Sequence, residues 1–377
     1  MINFNKPFVT GKELLYIEEA LKTGKLSGNG VFTSRCQNLL CEKYQFGKTL
    51  LTSSCTDALE MTAILSQIKQ GDEVIIPSFT FVSTALAFVR QGAKIVFADS
   101  SQNHPNINAD SLEELITPRT KAIAVVHYAG VACDMEKIES ICRKHNLILV
   151  EDAAQAIDSY YKDRALGTIG DFACFSFHET KNIISGEGGA LVVNNAQYNK
   201  RAEIVWEKGT NRTAFFRGEV NKYGWVDIGS SFLPSEITAA FLYAQLQNID
   251  LIQDKRIKLW NRYYKNLYSL QSEGYIALPF IPNYSTNNAH MFYLVCKSLE
   301  DRTNLISYLK KNEIMAVFHY QSLHKSPFYI NKHDGRELPN SDWYSDCLLR
   351  LPLYFELSFS EVDFISEIII DFFKTKQ

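Results

Sequence analysis

A strong excess of charge of one sign is missing from this chain: 39 Lys and Arg stand against 42 Asp and Glu in 377 residues, a net charge of -3. So even a balance leaves no electrostatic footprint for nucleic acid or an acidic membrane surface. Long apolar runs are missing too, with nothing near the roughly 18 residues of a membrane span. The first residues, "MINFNKPFVTGKELL", lack the basic start and apolar stretch of a secretory signal. The eight cysteines, at 36, 41, 55, 133, 142, 174, 296 and 347, form no C-x-x-C pair. Several lie in apolar stretches such as "ACFSF", which fits free thiols in a reducing compartment better than a disulfide framework or a zinc site. Repeats, low-complexity segments and flexible linkers are absent as well. The expectation is a soluble, cytoplasmic protein without metal.

What the chain does have, from about residue 48 to 195, is an alternation of short apolar runs with helical segments. "KTLLTS", "DEVIIP", "KIVFAD", "KAIAVVHY", "LILVED", "ACFSF" and "GALVV" read as strands. They are apolar throughout, as strands covered on both faces are. Helices are predicted over Thr56 to Gln67, Ser83 to Arg90, Asp110 to Ile116 and Met135 to His145. Such alternation predicts an α/β fold with an open, mostly parallel sheet, whose ligands gather at the carboxyl ends of the strands. After Asn199 the texture changes. A helix-rich passage runs from Ser235 to about Ser269, followed by strands in "AHMFYLVC" and "MAVFHY" and helices near 301–312 and 360–374. This predicts a larger domain over 1–249 and a smaller one over 250–377.

The stretch "SFHETKNIISGEGGALVV" (176–193) sets Lys181 between a buried strand and a glycine-rich run. It is no P-loop, which needs its lysine after the glycines. Nor is it a dinucleotide fingerprint, because the glycines lead into a strand and not a helix. Other chemically interesting residues also follow strands. Glu151, Asp152 and Gln155 follow "LILV", where Asp152 reads as a helix cap or as a carboxylate that keeps a ring nitrogen protonated. Ser53, Ser54, Cys55 and Thr56 enter a helix, forming either an anion site or a simple hydroxyl cap. Phe79 and Phe81 follow "IIP" and read as core or as an aromatic plate, and Ser176 closes the strand before Lys181. Anion site, flat aromatic, carboxylate and lysine on one sheet edge are together what pyridoxal 5'-phosphate requires.

On these residues the chain resembles the sugar aminotransferases of the DegT/DnrJ/EryC1/StrS group over nearly its whole length. The carrying pattern is "EDAAQA" followed by "FSFHETKN" and "GEGG". The resemblance implies the fold-type I (aspartate aminotransferase-like) architecture, a mostly parallel seven-stranded sheet with a smaller C-terminal α+β domain. It implies that Lys181 bonds the cofactor aldehyde, that Asp152 partners the pyridine nitrogen, and that Gln155 lies near the ring's phenolic oxygen. Phe81 takes the stacking position, and Cys55, Thr56 and Ser176 fall where the family binds phosphate. A homodimer with active sites at the subunit interface is implied. Many members send an asparagine across that interface; here the stretch is "GSSFLP", with Ser231 at the asparagine position and no arginine after Phe232.

Within the group, "KLSGNGVFTSRCQ", "VVHYAGVACDM", "EKGTNR" and "FFRGEVNKYGWVDIGSS" resemble members that move the amine of L-glutamate to C4 of a dTDP-linked 4-keto-6-deoxyhexose. Those members serve enterobacterial common antigen and related surface polysaccharides. Lys208, Arg212 and Arg217 lie in these passages and are either diphosphate contacts or solvated surface charges. His319 and His324 are either substrate-pocket residues or structural histidines. Three rivals stand beside this reading: amination at C3 or with gluco configuration, a sugar dehydratase of the same fold, and a non-catalytic sugar binder. Relatives of the dehydratase type carry histidine in place of the lysine, which Lys181 argues against.

Overall fold

A computed structural model describes residues 1–375. Seven strands form the main sheet in the order β1-β9-β8-β5-β4-β2-β3. They are β1 (Lys48–Thr52), β2 (Glu73–Pro77), β3 (Lys94–Ala98), β4 (Thr120–Val126), β5 (Ile148–Asp152), β8 (Phe172–Ser176) and β9 (Gly189–Val193). A small hairpin, β6 (Tyr160–Tyr161) with β7 (Arg164–Ala165), lies between β5 and β8 in the chain. Only β9 opposes the others, pairing antiparallel with β1 and β8, while β8, β5, β4, β2 and β3 pair in parallel. All seven apolar runs of the sequence are strands of this one sheet.

Side chains of each strand alternate between two cores. Leu51, Ile75, Ile123, Leu149, Ala173 and Val192 enter one, and Leu50, Val74, Ala122, Val150, Cys174 and Leu191 the other. Both faces are therefore dry, which is why the strands read as unbroken apolar runs. Helices α3 (Cys55–Leu65) and α4 (Val82–Val89) cover one face. The other is covered by α2 (Val31–Tyr44), α5 (Met135–His145) and α8 (Glu236–Leu246), with α1 (Glu13–Lys22) packed on α8. The helix expected over Asp110 to Ile116 is instead two 3-10 turns, Ala109–Ser111 and Glu113–Leu115. The Asn108 side chain accepts from Asp110 N, and Thr117 precedes a proline, so neither end lets a longer helix form.

Beyond α6 (Asn199–Trp206) and α7 (Arg212–Phe216), the long α9 (Ile249–Ser272) leads to a second, antiparallel sheet in the order β10-β11-β13-β12. Its strands are β10 (Ile276–Ala277), β11 (Phe292–Cys296), β12 (Val317–Phe318) and β13 (Leu348–Leu351). It is backed by α9, α10 (Leu299–Lys311) and α12 (Phe359–Lys374), with α11 (Pro339–Cys347) leading into β13. Helix α9 spans two cores: Ile249 and Ile252 belong to the main sheet's, Leu259 and Tyr263 to the small sheet's. No helix among the described residues is long and apolar enough to cross a membrane.

Candidate active site

Because β1, β5 and β8 share a direction and β9 opposes them, their carboxyl ends meet the start of β9 on one edge. Register confirms it: Thr52 and Ser176 both pair with Gly189. A cavity of about 840 Å³ opens at that edge, between the two sheets. Cys55, Thr56, Phe81, Asp152, Gln155, Ser176, Lys181 and His319 line it together. Ser54 caps α3 by accepting from Asp57 N, so the first turn of that helix, with its free N–H groups, faces the cavity. Thr56 Oγ1 and Ser83 Oγ are hydrogen-bonded at 2.8 Å beside it. Phe81 stands at the wall with 55% of its surface exposed, whereas Phe79 is buried in core.

The glycine run after Lys181 has a packing reason. A Cβ at Gly189 would come within 2.5 Å of the Ser54–Cys55 backbone, and one at Gly188 within 2.3 Å of Ser185 Oγ. Only glycine lets β9 begin against the start of α3. The lysine loop is then pinned from below. Asn182 Nδ2 donates to Gln253 Oε1 and to the Asn288 carbonyl, while Asn182 Oδ1 meets His290 Nδ1 at 2.8 Å. Asn288 in turn donates to the Gln155 and Ile157 carbonyls.

The electrostatics of the floor follow from burial. Asp152 accepts from Thr84 Oγ1 at 2.6 Å and Ala154 N at 3.2 Å, yet burial still holds its carboxyl above the ordinary aspartate range. Its neighbour Glu151 is the opposite case. Burial raises it, but His127 Nε2 at 3.0 Å and the N–H groups of Gly167, Ile169 and Gly170 outweigh that and hold it low. Glu151 is thus spent on structure and Asp152 is kept in reserve. Burial pushes the Lys181 amine below the usual lysine range, opposed by the nearby Cys55 and Asp152 and assisted by Arg350. That amine has no ion pair or hydrogen bond among the described residues. A buried, neutral-leaning amine is a nucleophile.

The opposite wall comes from the small sheet and its loops. His290, Met291, His319, Tyr320 and Arg350 line the cavity there. Gln155 bridges the walls, accepting from Ala129 N at 2.6 Å and donating to the Tyr320 hydroxyl at 3.0 Å. His319 Nδ1 is bonded to the Tyr128 hydroxyl, its ring stacks on Tyr320 at 3.5 Å, and burial holds the imidazole neutral. His324 is elsewhere, buried against Ser78 Oγ at 2.7 Å and Asp342, outside the cavity. Lys208, Arg212, Arg217 and Ser231 also lie outside this chain's cavity. Arg217 is engaged by Glu203 and Glu219, Arg212 sits over the Phe216 ring, and Ser231 is exposed beside Glu207. Sequence reading missed Thr84, Tyr320, His290 and Arg350; of these only Arg350 carries a signal, as a lone charge in the apolar run "LLRLPL".

Residues 8–370 match the DegT/DnrJ/EryC1/StrS aminotransferase family. The chain belongs to that family. The spore coat polysaccharide biosynthesis protein SpsC of Bacillus subtilis is 30% identical over 380 residues, covering 98% of this chain and 97% of the relative. The aminotransferase TlmJ from Streptoalloteichus hindustanus superposes with a TM-score of 0.91 at 27% identity, covering 100% of both chains. Spr1654 of Streptococcus pneumoniae in its PLP form gives 0.91 at 25% identity over 100% of this chain and 99% of that one. Aminotransferases of the DegT/DnrJ/EryC1/StrS family are pyridoxal phosphate-dependent. The residues present fit that cofactor: a free buried amine, a buried carboxylate without a cationic partner in hydrogen-bond contact, and an aromatic face. A helix N-terminus flanked by hydroxyls completes the set.

Proposed function

We propose that this aminotransferase transfers the amino group of L-glutamate to C4 of dTDP-4-keto-6-deoxy-D-glucose. The product is dTDP-4-amino-4,6-dideoxy-D-galactose, for surface polysaccharide synthesis. The observation that carries the chemistry is one buried cavity shared by Lys181 and Asp152, each biasing the other's charge. The choice of acceptor is supported by the passages "VVHYAGVACDM", "EKGTNR" and "FFRGEVNKYGWVDIGSS", and by the polysaccharide role in the name of SpsC.

When bound, pyridoxal phosphate supplies an aldehyde that carries the amine between substrates and a ring that accepts electrons from the amine carbon. Asp152 would keep the ring nitrogen protonated, and Thr84 and Ala154 N fix the carboxylate for that task. The N-terminus of α3, with Thr56, Ser176 and the Cys55 backbone, would hold the phosphate. Phe81 would pack on the ring face, and Gln155 would orient its phenolic oxygen. Lys181 Nζ would hold the aldehyde end of the cofactor and would move the proton at the substrate's amine carbon, a role that its lowered basicity suits.

The same reading makes the protein a homodimer. Between 212 and 228 the surface carries Phe216 at 69% and Trp225 at 85% exposure, apolar side chains that a partner subunit would cover. Lys208 and Ser231 flank that segment, Arg212 and Arg217 lie within it, and all four would serve the partner's cavity, not their own. Incubation with L-glutamate and dTDP-4-keto-6-deoxyglucose is expected to yield 2-oxoglutarate and an amino sugar with galacto configuration at C4 by NMR. Failure to form 2-oxoglutarate overturns the donor; a C3 amine or a gluco product overturns the acceptor.

A further inference from the structure

A second cavity, of about 640 Å³, shares no lining residue with the first and lies where the loop after β3 meets the small sheet and α11. Its volume falls in the range of roughly 300–1,000 Å³ typical of small-molecule pockets. Rings line one part of it: Tyr293 of β11, Trp343 and Tyr344 of α11, and Phe280, which is 48% exposed. Carboxamides line the rest, from Gln102, Asn103, Gln271 and Asn340. Among the described residues that line it there is no carboxylate, amine, guanidinium or imidazole. Several of its polar groups are fixed by one bond and keep another free. Asn340 donates from Nδ2 to the Ser100 carbonyl at 3.0 Å and from its backbone N to Asp99, which holds the carboxamide in place with Oδ1 left over. Gln271 Oε1 accepts from Leu278 N at 2.8 Å, leaving the amide N–H groups. The Tyr344 hydroxyl donates to the Gln102 carbonyl at 3.0 Å and can still accept. The Tyr293 hydroxyl stands apart from these. That residue is only 3% exposed, yet its hydroxyl has no hydrogen bond among the described residues. A buried hydroxyl without a partner is costly, and the cavity is the space that a partner would fill.

We propose that this cavity binds an unphosphorylated saccharide ring, at a site separate from the catalytic one. A hydroxyl both donates and accepts, so the neighbouring hydroxyls of a pyranose match a wall of phenol O–H, amide N–H and amide C=O groups. The C–H face of the same ring is weakly positive and packs on the negative face of an aromatic such as Trp343. The lack of charge decides what is left out. A sugar phosphate or sugar nucleotide would bring an anion to walls that offer it no cation, and an unpaired charge is expensive to desolvate. A wholly apolar ligand would leave the Tyr293 hydroxyl and the carboxamides without partners. The two cavities are one ring apart and share no wall. Tyr293 meets Tyr128 edge-on with centroids 5.8 Å apart, and the Tyr128 hydroxyl bonds His319 of the catalytic cavity. The assignment does not depend on the acceptor proposed above.

The test uses holoenzyme of the wild type, Trp343→Ala and Tyr293→Phe. Glucose, galactose and N-acetylglucosamine serve as neutral probes, with glucose 1-phosphate and adenosine as contrasts. Binding is read by saturation-transfer NMR and by titration of tryptophan fluorescence. The two half-reactions, amine uptake from the donor and amine delivery to the acceptor, are followed by the visible absorbance of the bound cofactor. The neutral sugars are expected to bind saturably, with magnetisation transferred most strongly to the protons of one ring face. Trp343→Ala should weaken them about tenfold or more and Tyr293→Phe about threefold to tenfold, while both half-reactions stay within about twofold of wild type. Absence of saturable binding by all three sugars overturns the proposal. So does binding that neither variant weakens, which places the sugar elsewhere, and so does tighter binding of glucose 1-phosphate or adenosine than of any neutral sugar. Loss of sugar binding matched by equal loss in both half-reactions also overturns it, since that marks a structural role. Tyr293→Phe removes one oxygen and keeps the ring, so the site is judged even where Trp343→Ala fails to fold.

Discussion

Along the cavity wall made by the main sheet, polar groups other than the Lys181 amine are already matched. Thr84 and Ala154 hold Asp152, His127 and three N–H groups hold Glu151, and Ser54 caps α3. Across from it, the wall made by the small sheet leaves Arg350 Nε without a partner, and its histidines are held neutral. The difference follows from what each wall binds. A resident cofactor rewards donors fixed in advance, because their ordering cost is met once, at folding. Substrates that come and go need groups whose partners arrive with them.

Changes to the main-sheet wall should therefore damage every step, and changes to the small-sheet wall only one. The largest effect is expected from Lys181→Ala. Turnover should fall at least about 10⁴-fold and both half-reactions should fail in the absorbance assay. Residual turnover within tenfold of wild type, on the scale of a single weak contact, breaks the comparison. Asp152→Asn keeps the shape but removes the charge, and a loss of about 10²–10³-fold in both half-reactions is expected in stopped-flow traces.

Gly130→Ala tests the joint between the walls. Its φ is +77° and a Cβ there would lie 1.9 Å from Asn288 Oδ1, so Asn288 must release either the Gln155 carbonyl or its own loop. A stability loss of about 2–4 kcal/mol by denaturant titration is expected, with both half-reactions impaired. The smallest effect is a gain. Lys181→Met removes a buried amine that has no hydrogen bond, so cofactor-free protein should melt a few degrees higher near neutral pH. The folded pKa of Lys181 lies below its ordinary value of 10.5, so the native state disfavours the charged amine. Its penalty is full below the folded pKa and vanishes above 10.5, and the melting difference should close as pH rises through that window. A melting difference that stays constant across that window would mean that the buried charge is not its source.

The main-sheet wall was largely legible in the sequence because its parts follow strands. Apolar runs covered on both faces announce themselves, and Cys55, Asp152, Ser176 and Lys181 stand at or just past their ends. The other wall was not. Tyr320 and Arg350 reach the cavity from segments whose neighbours in sequence say nothing of Gln155 or Lys181, and periodicity carries no information on such long-range approach. Charge was harder to read. Arg217 stands in a passage suited to a diphosphate, yet Glu203 and Glu219 engage it; Glu219, two residues on, was visible in the sequence. The glycines beside Lys181 fit neither a P-loop nor a dinucleotide fingerprint, and their demonstrable constraint is the close approach of β9 to the Ser54–Cys55 backbone.

The central claim is that the Lys181 amine bonds the cofactor. Borohydride reduction of the holoenzyme, followed by proteolysis and mass mapping, tests it most directly. The account predicts the pyridoxyl mass on Lys181 alone. The same mass on another lysine, or a cofactor that dialyses away intact after reduction, would contradict it.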